Sequence, residues 1–290
     1  MQLFRRILVA LARDAADREV VNYARLLASM EPGSQLDFVH VLEWHGPGPV
    51  VNHERALAEI RELAGGRASC HVLHGAPLDH LLEFAAESRT DLILMGHRKG
   101  STRRSLARRL AMKAPCSVWT VPQESAARIS RIVAAVDFSE ASAQALSYAA
   151  AIAQCGRLRE CLALHVYFDD AVVSFDGYDT IVRGREQEAF ESFVAPLDLH
   201  GIEVHPIFVE SPSVSKAVTR RAEGEHVDLV VMGTRGRSPS ASVLLGSESE
   251  QMIMESRIPL VIVKQRGERI GLLRVLLDRD FHAAEPPRFG

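Results

Sequence analysis

Apolar residues in this chain come in short unbroken runs, separated by longer stretches where apolar positions recur every three or four residues. Apolar side chains at consecutive positions suit a strand covered on both faces, whereas a spacing of three or four marks a helix with one buried face. In the second half the pattern predicts a strand at 131–137 and then a helix with Ser139 as its N-cap. Ala141, Ala145, Tyr148, Ala149 and Ile152 would share one face of that helix. Strands at 161–168, 202–210, 227–233 and 259–264 follow, with helices at 181–199, 213–224 and 247–256 between them, and Pro196 near the end of the first of these. The first half reads the same way. Strands alternating with helices predict a parallel α/β fold.

The pattern is also written twice. "RRILVALARDAAD" (5–17) matches "SRIVAAVDFSEAS" (130–142) at an offset of 125, and "FVHVLEW" matches "ALHVYFD" at the same offset, placing His40 on His165. "DLILMG" matches "DLVVMG" at 137, and "APCSVWTVP" matches the run from Ile258 at 144. Matches in one order with a growing offset mean duplication with insertions. One insertion lies near "DDAVVSFDGYDT"; the other is the stretch "MGTRGRSPSASVLLGSESE" (232–250). We expect a first domain at 1–122, a linker near 122–130, a second domain at 129–265 and a tail at 266–290.

Composition narrows the classes. The 290 residues are 47% hydrophobic and 24% charged with a net charge of −3, which does not suit bulk nucleic-acid or membrane binding. No apolar stretch approaches the roughly 20 residues needed to span a bilayer. The opening "MQLFRRILVALARDAAD" runs straight into acidic residues without an A-x-A site, so it is read as a first strand and the protein as cytoplasmic. Cys70, Cys116, Cys155 and Cys161 form no C-x-x-C pair and are expected to be reduced thiols. His71 and His74 lie three apart on a strand and so face opposite sides, which suits no shared metal ion. His40 and His165 are read as structural.

Candidate chemistry gathers in the long stretch after the 227–233 strand. In an open parallel sheet, ligands sit beyond the carboxyl ends of the strands. Gly233 stands at such an end, and Gly246-Ser247 opens a helix whose first amides lack partners and favour an anion. Hydroxyls of Ser247 and Ser249 would add hydrogen bonds. Asp137 ends the first strand of the same half, where its carboxylate suits a ribose or an adenine amino group. Neither a Walker A loop nor a G-x-G-x-x-G fingerprint is present. On spacing alone, a lone glycine loop is more often a plain connection.

These residues resemble the universal stress proteins over roughly 3–122 and 129–265. The ATP-binding members carry G-x2-G-x9-G-[ST] after the fourth strand, and Gly233, Gly236, Gly246 and Ser247 fit that spacing. "VDFSEAS" is similar to the family's first strand–helix junction, whose Asp contacts the adenosine, and "LHV" to its second strand, where the residue matching Val166 meets adenine through its backbone. The resemblance implies two tandem Rossmann-like domains, each a five-stranded parallel sheet of order 3-2-1-4-5, together mimicking the family's homodimer. The implied nucleotide site comprises Ala135, Val136, Asp137, Val166, Met232, Gly233, Arg235, Gly236, Gly246, Ser247, Glu248 and Ser249. Arg235 and Arg237 are candidates to neutralise phosphate charge. Mg²⁺ would accompany ATP through phosphate oxygens and water. One residue departs from the motif: the family usually has an apolar residue where Glu248 stands, and a carboxylate there repels phosphate unless it points away or holds a cation, although glutamate is also a normal residue for a helix's first turn.

The first half lacks the motif. Ala12 stands where Asp137 would be. From Gly96 to Pro115 is 19 residues, against 26 from Gly233 to Pro259, so seven are missing at the cradle. This half is not expected to bind ATP in the family manner. It carries instead Arg98, Lys99, Arg103, Arg104, Arg108, Arg109 and Lys113, an anion-binding patch over 98–113 or else a solvated face paired with acids elsewhere. No aromatics interleave with these cations, so nucleic acid is not expected. The leading reading is a nucleotide-dependent stress-response sensor or regulator that binds ATP in its second half and hydrolyses it slowly if at all, with an unidentified protein partner. The alternative is a nucleotide-free scaffold of the same fold. A pyrophosphatase or adenylyl transferase would need an S-G-G-x-D-S or His-Ile-Gly-His signature, and neither occurs.

Overall fold

The structure, a computed structural model, describes residues 3–43, 49–65, 68–97, 105–168, 178–234 and 246–264. The first half runs β1 (Arg6–Leu11), α1 (Asp17–Met30), β2 (Gln35–Leu42), α2 (Pro49–Ala64), β3 (Ser69–His74), α3 (Pro77–Glu87), β4 (Leu92–His97), α4 (Leu106–Lys113) and β5 (Ser117–Pro122). The second half repeats it: β6 (Ile132–Val136), α5 (Glu140–Cys155), β7 (Glu160–Tyr167), α6 (Tyr178–Val194), β8 (Glu203–Glu210), α7 (Val214–Gly224), β9 (Leu229–Gly233), α8 (Ser247–Glu255) and β10 (Leu260–Val263). The insertion at 169–177, the loop at 235–245 and the tail from 265 lie outside the described residues.

All ten strands join one sheet, in the order β3-β2-β1-β4-β5-β10-β9-β6-β7-β8. Each half therefore has the expected 3-2-1-4-5 order. Every neighbouring pair is parallel except β5 with β10, which run antiparallel and join the halves. There Val118 faces Ile262, its own counterpart at the 144 offset, so a pseudo-two-fold axis passes through that pair. The registers repeat as well. Leu11 pairs His40 as Val136 pairs His165, and Ala10 pairs Met95 as Ala135 pairs Met232.

Strand residues alternate between two cores, one on each face of the sheet. Ile7, Val9 and Leu11 join Val20 and Leu27 of α1, Ile60 of α2, Ala149 of α5 and Phe190 of α6. Leu8 and Ala10 join Leu81 of α3, Leu110 of α4, Val218 of α7 and Ile253 of α8. This double covering is why the strands read as continuous apolar runs. Pro206 sits inside β8, which is tolerable because among the described residues β8 pairs only with β7, at the sheet's edge.

Two devices recur in both halves. Asp91 and Asp228 each take main-chain amides at the start of the half's first strand: Arg5 and Arg6 at 2.8 and 2.9 Å, Ser130 and Arg131 at 2.9 and 3.1 Å. His40 and His165 each hydrogen-bond, through Nδ1 at 2.8 Å, the carbonyl that ends that strand, Leu11 or Val136. These histidines thus tie β2 to β1 and β7 to β6.

Among the described residues the four cysteines are free, and burial pushes Cys116 and Cys161 up to about 12. His71 lies 3.3 Å from Asp37, whereas His74 meets His53 at 2.9 Å, so the two histidines have separate partners. No described helix is long and apolar enough to cross a membrane.

Candidate nucleotide site

Strands β6, β7 and β9 end side by side on one edge of the second half, and α8 begins there. The chain turns sharply after Asp137. Phe138 has φ +62°, a left-handed conformation that costs a non-glycine residue of order 1 kcal/mol or more. Its ring stacks on His165 at 4.1 Å between centroids and packs against Phe193 at 5.3 Å, contacts that offset the strain. Arg13 repeats the turn in the first half with φ +59°. The turn thus belongs to the fold rather than to one site.

The turn leaves Asp137 half-buried just past the carboxyl end of β6. Its Oδ1 accepts from the Ser139 hydroxyl at 2.6 Å and the Ser139 amide at 3.1 Å. The Ser139 Oγ in turn accepts from the Ser142 amide at 3.2 Å, capping α5 as expected. Asp137 is therefore held in place from its own loop. Ala135 and Met232 are register partners, and Val166 lies one residue beyond His165 on the adjacent strand. These residues stand on three adjacent strands near their carboxyl ends.

Gly233 has a packing reason to be glycine. A Cβ there would lie 2.7 Å from the Ala141 carbonyl oxygen and 2.9 Å from its carbon, because α5 crosses β9 directly above it. At the equivalent Gly96 a Cβ would meet only side-chain atoms, of Ala16 at 3.3 Å and Val20 at 3.4 Å.

The long loop leaves and re-enters the fold at one point. The Gly246 amide donates to the Thr234 carbonyl at 2.9 Å, and the Ser249 hydroxyl donates to the Gly233 carbonyl at 3.0 Å. Ser249 is thus buried as a clasp on the loop's base, and its hydroxyl proton is committed there. Ser247 is exposed at the helix start. Gly246 gives α8 no side-chain cap, so its first-turn amides keep their pull on an anion. In the first half, by contrast, the Ser105 Oγ caps α4, accepting from the Arg108 amide at 3.4 Å.

The departure at Glu248 resolves locally. Its Oε2 accepts from the Ser215 amide at 2.6 Å, so the carboxylate is turned onto the first turn of α7. Ser213, at the N-cap of α7, makes no side-chain cap bond, and Glu248 supplies the missing acceptor from another helix. Arg235 and Gly236 lie outside the described residues, as does Arg237.

The cationic stretch of the first half has one member accounted for. Arg108 on α4 meets Glu250 on α8, with Nε–Oε1 at 2.7 Å and Nη2–Oε2 at 3.1 Å. Arg109 and Lys113 are exposed, and 98–104 lie outside the described residues. Beside that ion pair, His97 at the end of β4 lies against the Met254 carbonyl near the end of α8. Burial holds the His97 ring below the ordinary histidine range, with the Met254 carbonyl pulling the other way. His97 Nε2 is buried without a partner among the described residues. Sequence reading alone missed His97, Glu250 and Ser215, since each acts across a gap in the chain that no local motif marks.

Comparison with known proteins agrees with this layout. The sequence model of the Universal stress protein family matches residues 3–122 and again 128–264. The universal stress protein in the QAH/OAS sulfhydrylase 3'region of Thermus aquaticus is 29% identical over 136 residues, 46% of this chain and 97% of its own length. A universal stress protein of Archaeoglobus fulgidus superposes with a TM-score of 0.68 at 21% identity, covering 92% of this chain and all of its own. The functionally unknown PA1789 of Pseudomonas aeruginosa gives 0.66 at 18% identity, over 96% and 98% of the two chains. With two family matches covering most of its length, and the ten-stranded sheet that joins them, the chain belongs to the Universal stress protein family.

Proposed function

We propose that this protein binds ATP in its second half and acts as a nucleotide-dependent regulator with at most slow hydrolysis. The observation that carries the reading is the clasped loop. Its ends are pinned by Gly246 to Thr234 and Ser249 to Gly233, and it opens onto an α8 N-terminus with no side-chain cap. Free amides at a helix start are a ready phosphate site. Asp137, Val166 and the β6 end would hold the nucleoside, and Gly233, Gly236, Gly246 and Ser247 the phosphates. Glu248, turned onto α7, is removed as an electrostatic objection. Mg²⁺ would arrive on the phosphate oxygens, since no three His, Cys, Asp or Glu side chains gather among the described residues. The first domain, over 1–122, takes no part in this phosphate site, because Ser105 caps the helix that corresponds to α8.

Isothermal titration of ATP into the protein and into a Gly246→Asp variant tests this. The intact protein should give saturable heat. The variant, with a carboxylate in the cradle, should bind at least tenfold more weakly, a loss of about 1.4 kcal/mol. An absence of heat from the intact protein would leave the nucleotide-free scaffold.

A further inference from the structure

The first half holds a cleft of ≈ 430 Å³ at the ends of β1, β2 and β4. That volume lies within the range of small-molecule sites, about 300–1,000 Å³. Its wall includes Ala10, Leu11, Ala12, Val41, Met95 and Gly96. The repeated strand registers make these the counterparts of Ala135, Val136, Asp137, Val166, Met232 and Gly233. The half that lost the phosphate motif has therefore kept the floor on which a base and sugar would lie.

What it has lost is specific. The stretch after β4 is seven residues shorter than its counterpart, and Ser105 caps α4, so the phosphate half of the crevice is gone. Ala12 removes the carboxylate that Asp137 supplies. Asp14, Asp17 and Glu43 also line the cleft and disfavour an anionic occupant. Asp17 itself is committed, accepting from the amides of Ala12 at 2.9 Å and Arg13 at 2.7 Å, which braces the turn at the cleft's rim. His97 lines the cleft too and has Nε2 buried without a partner among the described residues.

We propose that this cleft is a second ligand site, taking a purine ring without phosphates. The assignment of the floor as a base-binding surface rests on the ATP reading of the second half. The two sites then differ in ligand class. One grips a polyanion through helix-start amides; the other takes an uncharged heterocycle against Leu11, Val41 and Met95.

The test is calorimetric titration of adenosine, once with the second-half crevice saturated by ATP and once without ATP. The intact protein should bind one adenosine per chain in the presence of ATP. Met95→Trp, which fills the cleft, should weaken that binding at least tenfold while leaving ATP affinity unchanged. Ala12→Phe, at an exposed position on the rim, repeats the block without touching the core and covers a folding failure of the first variant. No adenosine binding under either condition overturns the proposal, as does binding that neither substitution weakens. Should ATP bind nowhere while adenosine binding still falls in both variants, the ATP reading fails and this site stands.

Discussion

Replacing Gly233 with alanine separates packing from ligand binding where α5 crosses β9. The new Cβ would stand 2.7 Å from the Ala141 carbonyl oxygen, so α5 must retreat by about 0.7 Å to reach the 3.4 Å where ordinary contact begins. That neighbour is helix backbone and cannot swing aside. Overpacking of this kind costs about 1–3 kcal/mol. The alanine recovers about 0.4–1 kcal/mol by restricting the unfolded chain. A net loss of about 1–2 kcal/mol remains. Gly96→Ala is the internal control, because its Cβ meets only side-chain carbons of Ala16 and Val20, at 3.3 and 3.4 Å. It should match the parent or gain up to about 1 kcal/mol, since the same restriction of the unfolded chain meets little opposition there. Urea unfolding followed by far-ultraviolet circular dichroism, without nucleotide, measures both. If Gly233→Ala is as stable as Gly96→Ala, the backbone contact does not dictate the glycine, and its presence must be explained by the ligand alone.

Glu248→Ala should remove the acceptor for the Ser215 amide and cost about 1 kcal/mol in urea unfolding, while changing ATP affinity less than threefold. A tenfold gain in affinity would mean that the carboxylate faces the phosphates. A double-mutant cycle of Arg108→Ala and Glu250→Ala should return a coupling of about 1 kcal/mol that weakens in high salt, both side chains being mostly shielded; a coupling near zero would show the ion pair to contribute nothing. Burial works against ionisation of Asp228, but hydrogen bonds from Ser130 and Arg128 prevail and hold its carboxyl below the usual range. Its contribution is therefore present above the unfolded value near pH 4 and lost as pH falls through the lower folded one. The stability gap between the parent and Asp228→Asn, measured by denaturation, should be open at pH 7 and narrow below about pH 4.

The parts of this molecule legible in its sequence are those specified by neighbours along the chain. Unbroken apolar runs gave the doubly covered strands, and Ser139 before an alanine-rich face gave a helix start. The duplicated His40 and His165 were readable as structural because duplication without a metal-like neighbour favours a fold role, and each ties two strands. The glycine spacing pointed to the loop after β9. Its clasp did not show, because Ser249 answers Gly233 from sixteen positions away. Glu248 was readable as an ordinary first-turn glutamate, but its acceptor role toward Ser215 was not, since it spans 33 residues and two helices. Arg108 read as one member of a basic patch, and only the docking of α4 on α8 brings Glu250 to it across 142 residues. The cleft in the first half left no motif, because a cavity is defined by what the walls omit.

The antiparallel seam between β5 and β10 has a directional consequence. Strands on either side of it point opposite ways, so their carboxyl ends emerge on opposite margins of one sheet. Small molecules lodged at the two margins cannot touch. The helix α8 spans the gap: its start adjoins the end of β9, and Met254 near its end lies against His97 across the seam. Nine residues of helix are about 14 Å long. Among the described residues that short rod spans the distance between the two margins.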